Sequence, residues 1–277
     1  MPYGDAVVVM MTLAIIAGQG RLPLDIAVAA KMSGHAVHIL AIAGQADDAF
    51  PGFPHHSIDL GAIAKTRSLM AELNCDHVVM AGKVKRPSWA SLRPDADALT
   101  LLGKSLRRGD DNLLRLVARY FADAGIETIS PDNFLPDRQL FVGRNGERGI
   151  DPDEIADDVA LGVSVLESLG DLDVGQAIVV QQGRVIAIEA AEGTDAMIKR
   201  AAGLLDASAT PAVLIKIPKQ GQDLRLDKPV FGVDTVEAAA KAGIGAVGLS
   251  AGGVLLADPA EKIIQACERS NITLLGL

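Results

Sequence analysis

Blocks of apolar residues alternate with amphipathic stretches over the first 130 residues. Short apolar runs predict strands at residues 11–17, 36–43, 77–81 and 126–129. Apolar residues at helical spacing predict helices at residues 23–32, 61–73 and 110–124, whereas residues 45–58 are predicted to be a loop. Alternating strands and helices predict a parallel sheet with helices on its faces.

Residues 131–152, rich in proline and glycine, interrupt this pattern, and we predict that they form a domain linker. Beyond them the pattern predicts helices at residues 153–169, from 194, at 235–242 and at 259–270. It predicts strands at residues 177–181, 185–190, 213–217, 230–233, 246–249, 254–256 and 273–275. Gln182-Gly183 and Ala251-Gly252-Gly253 predict two β-hairpins.

The predicted fold class is therefore α/β with two domains. The N-terminal domain, residues 1–130, is expected to hold a Rossmann-like parallel sheet with helices on both faces. The C-terminal domain, residues 153–277, is expected to hold a mixed sheet. A length of 277 residues suits two domains. Hydrophobic residues make up 49% of the chain and aromatic residues only 3%, a composition that predicts an aliphatic core.

Composition narrows the class of protein. A net charge of −9 argues against a nucleic-acid partner. The apolar run at residues 6–17 is shorter than the roughly 20 residues that a membrane helix needs, and it lacks signal-peptide features. Cys75 and Cys267 match no metal-site spacing, so we expect reduced, structural thiols in a soluble cytoplasmic protein.

The first candidate site is the segment Gly18-Gln19-Gly20-Arg21-Leu22-Pro23, between a predicted strand and a predicted helix. Its backbone N–H groups could face an anion at the helix N-terminus. The segment resembles the dinucleotide fingerprint G-x-G-x-x-G, but Pro23 replaces the third glycine and no acidic residue ends the second predicted strand. A nucleotide or phosphate turn and a plain tight turn both remain open, and NAD binding is disfavoured.

The second candidate is a basic segment at residues 83–119, which carries nine basic and four acidic residues, a net charge of +5. A focus of positive charge attracts anionic ligands, although a solvated face with local ion pairs would look the same. Asp110 and Asp111 could cap a helix or help to hold a metal-bound phosphate. The basic residues are Lys83, Lys85, Arg86, Arg93, Lys104, Arg107, Arg108, Arg115 and Arg119.

Two further candidates lie in the second half. Glu192-Gly193-Thr194-Asp195 is either a phosphate-binding turn or a plain helix N-cap. Asp227 stands among four cations, Lys216, Lys219, Arg225 and Lys228. These residues form either structural ion pairs or a phosphate site whose carboxylate binds Mg²⁺ or orients water.

An ordered set of segments resembles one known family. The set consists of Gly18 to Pro23, Ala81 to Pro87, Arg108 to Asp111, Leu172 to Gln176, Glu189 to Met197, Lys216 to Lys219 and Asp227 to Pro229. Each segment alone is weak, but together they resemble the LpxI family, the UDP-2,3-diacylglucosamine pyrophosphatases of lipid A biosynthesis. The resemblance covers nearly the whole chain from Met11.

The resemblance implies hydrolysis of UDP-2,3-diacylglucosamine at the α-phosphorus, giving UMP and 2,3-diacylglucosamine 1-phosphate (lipid X), with a divalent cation, typically Mg²⁺. Asp227 matches the essential aspartate of the family and is the expected catalytic and metal-binding residue. The expected substrate-binding residues are Gly18, Gln19, Gly20, Gly82, Lys83, Arg86, Arg108, Gly109, Asp110, Asp111, Gln176, Glu192, Gly193, Thr194, Asp195, Lys216 and Lys219.

The same resemblance implies a glycolipid nucleotide as the substrate and transient contact with the inner face of the inner membrane. We also expect a homo-oligomer. Two other functions stay open at this point. One is a non-catalytic nucleotide- or lipid-binding protein, which would not need Asp227. The other is a nicotinamide dehydrogenase, which Pro23 disfavours.

Overall fold

The computed structural model describes residues 10–47, 50–85, 92, 94–105, 109–170 and 172–277. The chain divides into two compact units. The first comprises the described residues up to Leu135 together with Arg225–Asp227, and the second comprises Pro136–Leu224 and Lys228–Leu277.

The first unit is built on a five-stranded parallel sheet whose strand order is β3-β2-β1-β4-β5. This is the order of the first five strands in a Rossmann-type sheet. The strands are β1 Thr12–Ala17, β2 Ala36–Ile42, β3 His55–Ile58, β4 His77–Ala81 and β5 Glu127–Thr128. The helices are α1 Leu22–Met32, α2 Ile63–Glu72, α3 Ala96–Ser105 and α4 Gly109–Ala122.

Helices cover both faces of this sheet. On one face, Ala14 and Val78 share a buried cluster with Met70 of α2 and Phe121 of α4. Residues adjacent in a strand point to opposite faces, so Leu13 points to the other face, where α1 packs on β1 and β2. The predicted N-terminal architecture is confirmed.

Two elements of the first unit differ from the sequence prediction. Strand β3 lies inside the segment 45–58, which was expected to be a loop. Its sequence, His-His-Ser-Ile, has no apolar run that would predict a strand. Pairing with β2 at the edge of the sheet holds it in the extended conformation. Helix α3 was not predicted. The Asp95 carboxylate starts it by accepting the N–H of Ala98 at 2.8 Å, and its other oxygen accepts the N–H of Ala64 in α2, also at 2.8 Å.

The second unit holds a six-stranded mixed sheet in the order β6-β13-β11-β9-β7-β8. Strands β9, β11 and β13 run parallel, while β6 and β7 pair antiparallel with β13 and β9, and β8 pairs antiparallel with β7. Strands β10 and β12 form a separate parallel pair. The strands are β6 Gly143–Asn145, β7 Ala177–Gln181, β8 Arg184–Ile188, β9 Ala212–Lys216, β10 Val230–Phe231, β11 Ile244–Leu249, β12 Leu255–Leu256 and β13 Thr273–Gly276.

Helices also cover both faces of the second sheet. They are α5 Ala156–Gly170, α6 Thr194–Ala202, α7 Val233–Ala242 and α8 Ala260–Arg269. Leu166 of α5 packs with Ile178 and Ile215 on one face. On the other face, the buried core joins α6, α7 and α8, and Phe231 of β10 belongs to it. The predicted mixed α/β sheet is confirmed.

The two predicted hairpins have different outcomes. Strands β7 and β8 do form a hairpin, and Gln182 and Gly183 have φ angles of +50° and +69°, as a type I′ turn requires. The second hairpin prediction is wrong, because β11 pairs with β9 and β13 whereas β12 pairs with β10. The glycines at 252 and 253 indicate a turn but do not select the partner of each strand.

The predicted linker, residues 131–152, is not free of regular structure. Within it, Gly143–Asn145 forms the edge strand β6 of the second sheet. The linker and the two domain boundaries stay predictions. In the part of the chain that the structure describes, we find no helix with the length and apolar character needed to cross a membrane.

Candidate functional site

The glycine turn Gly18–Gly20 follows β1, and Gly82-Lys83 follows the neighbouring strand β4. The strand order reverses direction between these two strands, since β1 leads to β2 on one side and β4 leads to β5 on the other. In open α/β sheets, ligands bind outside the carboxyl ends of the strands at this switch point. The fold therefore brings two of the predicted motifs to the edge where ligands bind.

The backbones of the two turns are in direct contact. The Gly18 N–H donates to the Ala81 carbonyl at 2.8 Å, and Gln19 and Lys83 exchange two backbone hydrogen bonds of 2.9 Å each. A Cβ on Gly18 would lie 2.7 Å from the Lys83 carbonyl oxygen, and one on Gly82 would lie 2.8 Å from the Gly18 carbonyl carbon. Both positions thus require glycine because backbone approaches backbone.

The loop after β2 forms hydrogen bonds with both of these segments. The sequence analysis did not predict this contact. The Gln45 side chain accepts from the Lys85 N–H at 2.6 Å and donates to the Lys85 carbonyl at 3.0 Å. The Asp47 carboxylate accepts the Gly20 N–H at 3.4 Å. Asp47 lies five residues beyond the end of β2, so a search for an acid at the strand end did not find it.

Only part of the basic segment is described. Lys83 and Lys85 are exposed. Arg86, Arg93, Arg107 and Arg108 lie outside the described residues. Gly109, Asp110 and Asp111 open α4, but the side chains of the two aspartates lie outside the described part.

Two acids of the basic segment have structural roles. Asp95 caps two helices, and the Asp97 carboxylate accepts a hydrogen bond from the Tyr120 hydroxyl. Burial and this hydrogen bond raise the pKa of Tyr120 to about 12. Both aspartates are therefore engaged within the protein, and their negative charges still count toward the net charge of the segment.

A second group of polar side chains lies in the second unit, at the edge where the parallel strand β9 ends. Lys216 is the last residue of β9 and is 7% exposed. Its ammonium donates to the Thr194 hydroxyl at 2.8 Å, and that hydroxyl is 2.9 Å from the Glu189 carboxylate. The structure thus brings together Thr194 and Lys216, two predicted binding residues 22 positions apart.

Gln176 and Lys219 belong to the same edge. The Gln176 N–H donates to Glu189 at 3.1 Å, and its side-chain amide donates to the Gln222 side chain at 2.9 Å. Gln222 also accepts the Lys219 N–H at 2.9 Å, and the Lys219 ammonium pairs with Asp173. Glu189 and Gln222 were missed as site residues because neither stands out in the sequence by charge pattern or turn chemistry.

The turn that precedes α6 is held by an ion pair. Glu192 accepts from Arg200 at 2.7 Å, and this hydrogen bond holds the pKa of the Glu192 carboxyl below its usual range. Gly193 has φ +82°, a conformation that favours glycine, and Asp195 is exposed in the first turn of the helix. The structure does not assign a ligand to these three residues.

Asp227 is exposed in the loop between β9 and β10, next to the buried side chain of Leu226. Among the described residues, no three His, Cys, Asp or Glu side chains cluster in a way that could hold a metal ion. Mg²⁺ is commonly held by one or two carboxylates together with substrate phosphates and water. Asp227 fits a cation bound in that manner and does not fit one caged by the protein alone.

Comparison with known proteins gives the family. Residues 12–138 match the LpxI N-terminal domain and residues 144–275 match the LpxI C-terminal domain. The chain belongs to the LpxI family. One relative of this LpxI-family chain is the UDP-2,3-diacylglucosamine pyrophosphatase LpxI of Caulobacter vibrioides, which is 36% identical over 276 residues, 97% of this chain and 98% of the relative.

Two solved structures show a limited likeness. The Bordetella bronchiseptica enzyme WbmG in complex with NAD and UDP is 14% identical, with 40% of this chain and 35% of that chain covered and a TM-score of 0.28. The enzyme WbmH of the same organism in complex with NAD⁺ is 21% identical, with 40% and 36% covered and a TM-score of 0.25.

Proposed function

We propose that this LpxI-family chain is a hydrolase that cleaves the pyrophosphate of UDP-2,3-diacylglucosamine, giving UMP and lipid X in lipid A biosynthesis. One observation carries the proposal: a relative that is 36% identical over 97% of this chain is named for that activity. Matches to both LpxI domains support it, because they cover most of the two halves of the chain.

Each of the two sheet edges carries residues that suit an anionic group. The exposed Lys83 follows a glycine turn at the switch point of the first unit, where nucleotide phosphates commonly bind. Lys216 and Lys219 provide cations at the end of β9 in the second unit. We propose that these lysines bind phosphoryl oxygens and that the neighbouring glycine turns allow close approach.

Asp227 is the proposed catalytic carboxylate and the proposed holder of Mg²⁺. When bound, the cation would neutralise charge on the phosphoryl oxygens and so make attack by water easier. The carboxylate of Asp227 can also orient that water, a role that needs no other protein ligand.

A labelled substrate tests the reaction. Purified protein is incubated with radiolabelled UDP-2,3-diacylglucosamine, with either Mg²⁺ or EDTA, and UMP and lipid X are separated and counted. We expect both products with Mg²⁺ and none with EDTA. Binding of the substrate without turnover under all conditions would instead indicate a non-catalytic binding protein.

The position of attack is tested separately in water enriched in ¹⁸O. We propose attack at the α-phosphorus, which places the heavy oxygen in UMP. Heavy oxygen in lipid X would overturn the α-phosphorus assignment and leave the hydrolase proposal intact. Mass spectrometry of both products decides between the two.

We also propose that the protein works at the inner face of the inner membrane, because the two acyl chains of the substrate partition into lipid. Flotation with vesicles of phosphatidylethanolamine and phosphatidylglycerol, with and without the substrate, tests this. Protein that stays at the bottom of the gradient in both cases would contradict it. The expected homo-oligomer stays a prediction, which gel filtration with light scattering can check.

A further inference from the structure

Glu189 lies at the centre of a chain of hydrogen bonds that links three elements of the second unit. It follows β8, and one of its carboxylate oxygens lies 2.9 Å from the Thr194 hydroxyl at the start of α6. Its other oxygen accepts the Gln176 N–H at 3.1 Å. The Lys216 ammonium lies 2.8 Å from the same hydroxyl.

The chemistry of the three side chains determines which group donates in each hydrogen bond. An ammonium only donates and an ionised carboxylate only accepts, whereas a hydroxyl has one proton to donate. Lys216 therefore donates to Thr194, and Thr194 donates to Glu189. The single hydroxyl proton of Thr194 is used within the protein, so it is not available to a phosphoryl oxygen.

We infer that Glu189 is a positioning residue: it holds the Thr194 hydroxyl, and through that hydroxyl the Lys216 ammonium, in the orientation in which Lys216 binds a phosphoryl oxygen of the substrate. This inference rests on the proposed function. Because Lys216 is only 7% exposed, its ammonium has few alternative positions, and the direction of one N–H determines where the others point. Thr194 thus acts on the substrate through Lys216 and not by direct contact.

Kinetics of single and double variants test the inference. In Glu189→Gln one accepting oxygen becomes an NH₂ group, so either Thr194 or Gln176 loses its acceptor. Thr194→Val removes the hydroxyl at nearly constant shape, and Thr194→Ser keeps it. Losing the orientation of a charged hydrogen bond should lower kcat/KM about 10- to 100-fold in the first two variants, and Thr194→Ser should stay within about threefold of wild type.

The double variant distinguishes action of Thr194 through Lys216 from direct contact of Thr194 with the substrate. If both residues act through Lys216, Glu189→Gln with Thr194→Val should be no worse than the more impaired single variant. Matched controls are Thr235→Val, at the start of another helix, and Glu237→Gln, an exposed glutamate. Both controls should keep wild-type kinetics, and melting temperatures should show that all variants fold.

A readout without substrate completes the design. In protein labelled with ¹⁵N-lysine, the Lys216 ammonium resonance is assigned by its loss in Lys216→Met. Thr194→Val should shift this resonance or broaden it by faster proton exchange, and Thr235→Val should leave it unchanged.

Non-additive kinetics together with a changed Lys216 resonance support the inference. Effects that multiply in the double variant would overturn it, since Thr194 would then contact the substrate itself. Activity that falls only in parallel with melting temperature would also overturn it. A wild-type protein that does not hydrolyse the substrate would instead overturn the proposed function and the role that rests on it, even if the Lys216 resonance responds.

Discussion

Hydrogen-bonding capacity decides which predicted site residues are available to a ligand. The side-chain amide of Gln176 donates to Gln222, the Thr194 hydroxyl donates to Glu189, and Glu192 is paired with Arg200. Lys83, in contrast, is exposed at a sheet edge where ligands bind. The sequence motifs name candidate site residues, and the hydrogen-bond partners of each side chain determine which of them are available to a ligand.

Asp227 should be needed for turnover and not for folding. Asp227→Asn removes the charge at constant shape, so kcat should fall on the order of 10²-fold or more, the scale of a lost catalytic contact. The melting temperature should change little, because an exposed carboxylate contributes only about 0–1 kcal/mol through ion pairing. Steady-state kinetics and thermal unfolding measure the two effects.

Asp234→Asn is the matched control for Asp227→Asn, since Asp234 is an exposed aspartate in the first turn of α7. It should keep normal turnover. An Asp227→Asn variant that turns over normally, or that is inactive because it unfolds, would show that Asp227 is a structural counter-charge.

Lys83 should contribute to substrate binding. Lys83→Met keeps most of the aliphatic stem and removes the charge, and a charge-assisted hydrogen bond is worth about 1.5–3 kcal/mol. The affinity for substrate should therefore fall roughly 10- to 100-fold. Equilibrium binding without Mg²⁺ measures it, with Lys65→Met, an exposed lysine on α2 of the same unit, as the control. Equal affinities in the two variants would show that Lys83 is a solvated surface charge that does not bind the substrate.

At the scale of elements, glycines let two strand ends meet. The turns after β1 and β4 can exchange backbone hydrogen bonds because neither Gly18 nor Gly82 carries a Cβ. The same contact places the glycine turn beside Lys83, so a packing requirement fixes the position of a residue that we propose binds the substrate.

Gly18→Ala should destabilise the first unit. Its Cβ would lie 2.7 Å from the Lys83 carbonyl oxygen and 2.9 Å from that of Gly82, so backbone must shift. Overpacking of this kind costs about 1–3 kcal/mol of unfolding free energy. Gly103→Ala lies in α3, where a Cβ would meet no heavy atom of the described residues within 4 Å, and it should instead raise stability by about 0.5–1 kcal/mol. Urea unfolding measures both, and equal stability of Gly18→Ala and wild type would contradict the close approach.

At the scale of the whole molecule, each compact unit carries one buried free cysteine, Cys75 in the first and Cys267 in the second. Burial and the nearby Asp76 raise the pKa of the Cys75 thiol to about 11. Burial and Glu268 raise the pKa of the Cys267 thiol to about 12. Both thiols stay protonated near neutral pH, and the thiolate is the reactive form.

Iodoacetamide at pH 8 should therefore leave both cysteines unmodified in the folded protein. A pKa of about 11 in place of an ordinary value near 9 reduces the thiolate population about a hundredfold for Cys75, and the reduction for Cys267 is about tenfold larger. In a urea series, alkylation of each cysteine should follow the unfolding of its own unit, which peptide mass spectrometry resolves. Rapid modification of either cysteine without urea would contradict its burial.

The sequence by itself determined most elements and the type of each sheet. Strand β1 was predicted at residues 11–17 and is Thr12–Ala17, and α1 was predicted at residues 23–32 and is Leu22–Met32. The hairpin at Gln182-Gly183 was also predictable, because Gly183 readily adopts the positive φ angle that the second central position of a type I′ turn requires. Periodicity and turn chemistry are local, so a short stretch of chain carries them.

Tertiary structure alone decided which distant groups meet. It paired β12 with β10 and not with β11, and it brought the Asp47 carboxylate to the N–H of Gly20. It also placed Glu189 so that its carboxylate accepts a hydrogen bond from the Thr194 hydroxyl. Strand pairing and side-chain hydrogen bonds depend on surfaces supplied by distant parts of the chain, and no local pattern of apolar and polar residues specifies those partners.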